Sequence, residues 1–287
     1  MKYRFIDRYS SEFRVERMCK VLGVSRSGYY GWRRRPSSRR QRENEQVLME
    51  IQKSHRRSKG TYGSPRVTRD LLAWGIPCGK NRVARIMRKN GIVARSRRKF
   101  RATTHSKHNL PVAENLLEQK FVTEGPNKVW ASDITYIQTQ EGWLYVVVVL
   151  DVFSRRVVGW SMSKRLTAEF VIRALSLAIG GRRPSSGLIF HSDRGVQYAC
   201  TAFKEVLNQY GFTQSMSRRG NCYDNALVES FFHTLKTEHV YHHRYTTRAE
   251  ARQSIFEYIE MFYNRVRRHS TLGYRSPVSF EQEAMVA

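Results

Sequence analysis

Acidic residues are scarce in this chain. Its 287 residues include 24 Asp plus Glu against 51 Lys plus Arg, a formal net charge of +27. So large an imbalance exceeds what a solubilising surface needs and points to a polyanionic partner. Cysteine is scarce too. Cys19, Cys78, Cys200 and Cys222 form no CxxC pair, which argues against a disulfide framework and against a cysteine zinc site. His105 and His108 sit close together without a cysteine nearby and are not assigned to a metal. Long apolar runs are missing. The longest, YVVVVL at 145–150, is too short to span a bilayer. The opening MKYRFIDRYS has no apolar core of a signal peptide. These absences lead us to expect a cytoplasmic protein with no membrane partner.

The positive charge is uneven. Residues 1–125 hold 31 basic and 10 acidic side chains, net +21, whereas residues 126–287 hold 20 and 14, net +6. The front of the chain therefore reads as a nucleic-acid grip and the back as an ordinary folded core. FRVERMCKVLGVSRSGYYGW has the pattern of a helix-turn-helix. Val15, Met18, Cys19 and Leu22 share a face, Gly23 ends the first helix and Ser25 caps the second. RRRPSSRRQR at 33–42 reads as a basic linker, closing a first segment at 1–42. A second helix-turn-helix region is expected over 43–93. In it Asn44 to about Arg57 forms one helix, with Val47, Leu48 and Ile51 inward. Ser64 and Pro65 start another, as N-cap and first helical residue. In the last helix Val83, Ile86 and Met87 are buried, leaving Arg82, Arg85, Arg88 and Lys89 to face outward toward DNA. Residues 94–125 read as a basic connector ending at Gly-Pro-Asn.

From 126 to 287 the pattern changes. VWASDITYIQ, WLYVVVVLDVF and RRVVGWSMS are strands, the middle one apolar enough to be buried on both faces. Next come the helix TAEFVIRALSLAI, the strand GLIFHSD, the helix TAFKEVLNQYGF and the strand TQSMS. The helices DNALVESFFHTLKTEHV and RAEARQSIFEYIEMFYNRV follow, with a helical tail. That order is the α/β order of an RNase H-like catalytic domain: a mixed five-stranded sheet with flanking helices, here preceded by an all-α helix-turn-helix DNA-binding region.

Three acids stand out against this frame. Asp133 falls inside the first strand, Asp193 at the end of the fourth, and Glu229 on a helix, with 35 residues between Asp193 and Glu229. Neighbouring strands can aim two carboxylates at one edge while a crossing helix brings the third. Hard oxygen ligands suit Mg²⁺ or Mn²⁺, and two such ions, expected with DNA bound, would bracket a phosphodiester and lower the pKa of water or a 3′-hydroxyl. Lys236, seven residues after Glu229, lies two turns along the same face and can meet a phosphate. A lone Asp at a strand end is more often a turn residue, and a lone Glu on a helix a surface one; the combination separates these three. Asp151 reads as a supporting residue or a partner of Arg155, and Asp224 or Asn225 as the cap of the Glu229 helix. His191, two before Asp193, supports the site or packs. Trp130, Tyr136 and Tyr145 are assigned to packing rather than to DNA.

The chain resembles the second-frame (OrfB) transposases of the IS-three family of bacterial insertion sequences, whose catalytic domain is similar to that of retroviral integrases. The resemblance covers nearly the whole chain through YGSPRVTRDL, WASDITYI, EGWLYVVVVLDVFSRRVVGWSMS, HSDRGVQY, NCYDNALVESFFHTLK and YNRVRRHSTLGYRSPVSFE. It implies that Asp133, Asp193 and Glu229 are the catalytic, metal-binding DDE triad and Lys236 the basic residue behind it. It implies hydrolysis at element ends followed by attack of the freed 3′-OH on another phosphodiester, acting on terminal repeats and on target DNA. It also implies an upstream-frame (OrfA) product or fusion as partner, a homo-multimer on DNA and a place at the bacterial nucleoid. No heptad repeat precedes Met1, so the chain looks like the second-frame product alone. Two alternatives stay open: a DNA-binding regulator inactive without the upstream frame, and a simple RNase H-like nuclease.

Overall fold

The computed structural model describes residues 1–36, 38–95, 112–118, 123–218 and 222–286. His105, His108 and most of the expected connector lie outside the described residues. The chain divides into two compact units, Met1–Gln52 and Lys53–Ala287.

The first unit contains α1 (Lys2–Arg8), α2 (Val15–Val21), α3 (Arg26–Arg34) and the first part of α4 (Arg39–Arg57). Ile6, Met18, Cys19 and Tyr29 are its buried centre, with Tyr3, Val15, Leu22 and Trp32 packed around them. Gly23 turns the chain after α2 at φ +61°, where a side chain would be strained. Ser25 caps α3 as expected, its Oγ accepting from the Gly28 amide at 3.0 Å. Two features differ from expectation. Helix α1 was not foreseen, and α3 and α4 take up most of the run read as linker. Arginine is a good helix former, so a basic run need not be a loop.

In the second unit α5 (Ser64–Ala73) and α6 (Lys80–Lys89) form a helix pair. The N-cap of α5 is Gly63, one residue before the expected Ser64. The pair is tied to the C-terminal part of the unit by hydrogen-bonded charges. Arg66 meets Glu238 at 3.2 Å, Arg268 meets Asp70 at 2.7 Å, and Tyr62 Oη donates to the Val266 carbonyl at 3.0 Å.

The sheet has the order β3-β2-β1-β4-β5, built from β1 (Val129–Thr139), β2 (Gly142–Asp151), β3 (Val157–Ser163), β4 (Ile189–Ser192) and β5 (Thr213–Met216). The first three strands are antiparallel, while β4 and β5 run parallel to β1. Strand β2 is buried continuously from Val146 to Asp151, as its apolar run required. Helices α7 (Ala168–Arg182), α8 (Val196–Ala199) and α9 (Thr201–Gln209) contribute to one core with Trp130, Val147, Val149 and Phe190. Gly159 on β3 lets α7 approach, since a Cβ there would collide with the Ala174 carbonyl and Ala178. Helix α10 (Ala226–Glu238) packs against β1. Helix α11 (Arg248–Glu257) continues as a π-helical stretch to Tyr263, and α12 (Pro277–Val286) closes the described chain. The mixed five-stranded sheet with flanking helices is the architecture expected from the order of elements.

Candidate active site

The site begins where two parallel strands part. Strand β4 pairs with β1 only from Val129↔Ile189 to Ser132↔Ser192. Asp133 continues β1 and Asp193 directly follows β4, so register sets both one rung past the last pair. Asp133 Oδ1 accepts from the Ile134 amide at 2.8 Å, and Asp193 Oδ1 from the Gly195 amide at 2.9 Å. Glu229 lies in the first turn of α10, where the helix dipole favours a carboxylate.

The charges of Asp193 and Glu229 both act on Asp133. Burial pushes the Asp133 carboxyl well above its ordinary range; the charge of Asp193 and, less strongly, that of Glu229 push it the same way, against the Ile134 amide and the Lys236 ammonium. Burial also raises Glu229. Lys236 is itself buried and pulled below its usual range by burial, and its Nζ sits 5.1 Å from the centre of the Tyr136 ring. Hard-oxygen donors whose charges oppose ionisation of the buried Asp133 have the chemistry of a divalent-cation site. Among the described residues, no three His, Cys, Asp or Glu side chains are close enough to enclose one ion.

A buried polar layer supports the two aspartates. Ser132 Oγ and Tyr198 Oη share a hydrogen bond of 2.8 Å, and Asn225 Nδ2 donates to the Ser132 carbonyl at 3.2 Å. Burial, then Asp193 and Asp133, push the Tyr198 hydroxyl well above its ordinary range, so it stays a neutral hydrogen-bonding group. His191 is fully buried, held between Ser215 Oγ at 2.9 Å and Ser217 Oγ at 3.2 Å, and burial lowers it to about 4. It is a neutral support. Tyr198 and Ser132 were not foreseen; no spacing rule marks a tyrosine five residues after an aspartate.

Several expectations change. Asp151 does not take the Arg155 side chain. Its carboxylate accepts from the Asn127 and Phe153 amides at 2.8 and 3.0 Å and lies 3.6 Å from Arg182, because the turn at Arg155 is closed through the Asp151 main chain instead. Asn225 is the N-cap residue of α10, one of the two expected there, but it caps without a side-chain hydrogen bond. Asp224 is turned back onto the Arg218 amide and guanidinium, at 2.8 to 3.1 Å. On α6, Arg85, Arg88 and Lys89 are exposed, but Arg82 is half-buried, since it lies one turn from Ile86 beside the buried stripe. Tyr136, read as packing, is 42% exposed.

Comparison with known proteins decides the family. The Integrase core domain family matches residues 123–222 and, in a second form, residues 210–277; an HTH-like domain family matches residues 41–100. The chain is 48% identical over 266 residues to the Insertion element IS600 uncharacterized 31 kDa protein of Shigella sonnei, covering 93% of this chain and 98% of that one. It is 46% identical over 285 residues to Transposase InsF for insertion sequence IS3A of Escherichia coli (strain K12), covering 99% of each. The chain belongs to the IS3-family transposases. As a transposase of this family it is a DDE polynucleotidyl transferase with an integrase core and a DNA-binding helix-turn-helix region. Agreement along the full length gives no support to a purely regulatory role. Among solved structures, a chain of the simian T-cell lymphotropic virus intasome in complex with PP2A regulatory subunit B56 gamma aligns with a TM-score of 0.47 and 18% identity, over 77% of this transposase and 70% of that chain. Among the described residues of the transposase, no helix is long and apolar enough to cross a membrane.

Proposed function

We propose that Asp133, Asp193 and Glu229 hold Mg²⁺ or Mn²⁺, two ions with DNA bound, and that this triad carries out strand cleavage and strand transfer at insertion-sequence ends. The observation behind this reading is the register: two aspartates on the first rung past the β1–β4 pairing, with the charges of Asp193 and Glu229 both felt at Asp133. The bound ions would supply Lewis acidity, easing deprotonation of water or a 3′-hydroxyl and offsetting charge on the phosphorane. The chain supplies placement. Asp133 and Asp193 are held rigidly by strand register and by the Ser132–Tyr198 layer, and Glu229 enters on α10. Lys236 holds a phosphate beside them. At an element end, water displaces the 3′-oxygen from phosphorus; in transfer the freed 3′-OH attacks a second phosphodiester, forming one P–O bond as another breaks. No protein nucleophile is needed.

Residues 1–93 are proposed to grip DNA, with α6 contributing Arg82, Arg85, Arg88 and Lys89 against terminal repeats. The upstream-frame product, as partner or fusion, would complete recognition of those repeats. The working form would be a homo-multimer on target DNA at the bacterial nucleoid.

The test is strand transfer with Mg²⁺ or Mn²⁺ on a labelled duplex ending in the element's terminal repeat, with and without the upstream-frame protein. Wild type is expected to join DNA and Glu229→Gln to bind without joining. Joining by Glu229→Gln at the wild-type rate would sink the triad.

A further inference from the structure

Farther along β1 and α10 from the carboxylates lies a cleft of about 550 Å³, within the range of small-ligand sites. It runs along the edge of β1 beyond Ser132, where among the described residues no further strand pairs between Asp133 and Gln138 on the β4 side. The other wall is the segment after α10, which closes on the strand end through the Thr139↔Tyr245 bridge and the Gln140 amide on the Tyr245 carbonyl at 3.1 Å. Tyr136, Trp143, Lys236, Tyr241, His243 and Arg244 line it.

Two aromatic rings stand open in this wall. Tyr136 is 42% and Trp143 46% exposed, and they meet edge to face at 4.9 Å and 80°. That arrangement turns the edge of one ring to its partner and leaves ring faces available for stacking. Cations flank them. Lys236 reaches the Tyr136 ring, and Arg244 is exposed at the rim. Open aromatic faces beside phosphate-binding cations are what binds an unstacked nucleotide, and a paired duplex base has no free face to offer. Tyr136 lies three residues along β1 from Asp133 and Lys236 two turns along α10 from Glu229, so the occupant lies on the same two elements as the reacting group.

Building on the transfer chemistry above, we propose that this cleft captures one unpaired nucleotide of the DNA strand flanking the reacting phosphate, its base stacked on one ring of the Tyr136–Trp143 pair and bordered by the other, and its phosphate held by Lys236 and Arg244. Fraying at the cut site would then be part of substrate recognition, and the stacked base would fix the strand's path past Asp133.

The experiment compares binding of the full chain to two short duplexes in chelator, so that chemistry is off. Both carry an unpaired extension at one end, in one with a base and in the other abasic. Wild type is expected to prefer the base-bearing extension by roughly 5- to 100-fold, the worth of one stacked base. Tyr136→Leu combined with Trp143→Leu should erase the preference without lowering the melting temperature, and Tyr136→Phe should keep it. Equal binding of both probes by wild type overturns the proposal. So does a Leu double variant that keeps the preference, or one that changes only the multimer size, which would make the cleft a protein interface. A base preference in a wild type that never joins DNA would support the cleft while removing the transfer chemistry, so the two readings fail separately.

Discussion

Two sets of carboxylates in the second unit sit in opposite surroundings. Glu238 is almost fully enclosed; burial pushes it up, but Arg267, at 2.7 Å through two nitrogens, and Arg66, at 3.2 Å, outweigh burial and hold it below its ordinary range. Glu281 is treated alike by Ser154, Arg156 and Arg182, at 2.6 to 2.8 Å. At Asp133 burial and two neighbouring carboxylates all push the same way. The first set fastens elements together: Glu238 joins α10 to α5 and to the segment after the π-helical stretch, and Glu281 joins α12 to α7 and the turn before β3. In the second set burial and like charge outweigh the Ile134 amide and Lys236 at Asp133. Acids crowded with acids mark a candidate functional site, and acids matched to arginines fasten elements.

The largest effect that would break this contrast is on activity. Asp133→Asn should lower strand transfer by roughly 10³-fold or more, about 4 kcal/mol on the barrier, while leaving the melting temperature of metal-free protein equal or higher. A variant that melts well below wild type would place Asp133 among the fastening acids. Glu238→Gln should do the reverse. It leaves the buried Arg267 and the half-buried Arg66 without their counter-charge and costs about 3–5 kcal/mol of stability, read from denaturant melts. A loss below about 1 kcal/mol would mean that the cluster relaxes, and the contrast would fail on that side.

pH separates the sets further. The Asp133 carboxyl is a weaker acid folded than unfolded, so between the two values the folded chain binds more protons and stability falls as pH rises. Below the ordinary carboxylate range both states are protonated and the penalty is gone. Glu238 is a stronger acid folded, so its contribution is present above the ordinary range and is lost as pH falls through the folded value. In metal-free buffer the stability gained by Asp133→Asn should therefore grow with pH, and the stability lost by Glu238→Gln should shrink in acid. Magnesium should flatten the first dependence and leave the second alone. Parallel pH profiles for the two variants would remove the distinction.

How much of this was legible beforehand follows from range in sequence. Strand β2 could be read because six consecutive apolar residues have few other uses, and the Ser25 cap because capping is local. The neighbourhood of Asp133 and Asp193 was legible in outline, since an aspartate inside one strand and another ending a parallel strand share an edge. The partners of Asp151 were not: Asn127 and Arg182 are distant in sequence, and composition favoured the adjacent Arg155. The same blindness hid the Arg66–Glu238 and Asp70–Arg268 pairs, which tie a helix pair that reads as an independent module to the far end of the chain. Long-range charge pairing leaves no periodic trace.

The smallest effect tests the same contrast among cations, on α6. Arg85 is exposed and free to meet a phosphate, whereas Arg82 is half-buried against the helix pair's own core. Arg85→Ala should weaken DNA binding uniformly across sequences and flatten the salt dependence by about 0.9 in log–log slope, one released counterion, with the melting temperature unchanged. Arg82→Ala should lower the melting temperature through lost packing of its stem and move the salt slope less. If both substitutions shift the slope equally and neither shifts the melt, burial does not divide the α6 arginines and all of them belong to the grip. If Arg85→Ala leaves the slope untouched, α6 does not lie against the phosphate backbone, and the basic face of the helix pair serves another surface.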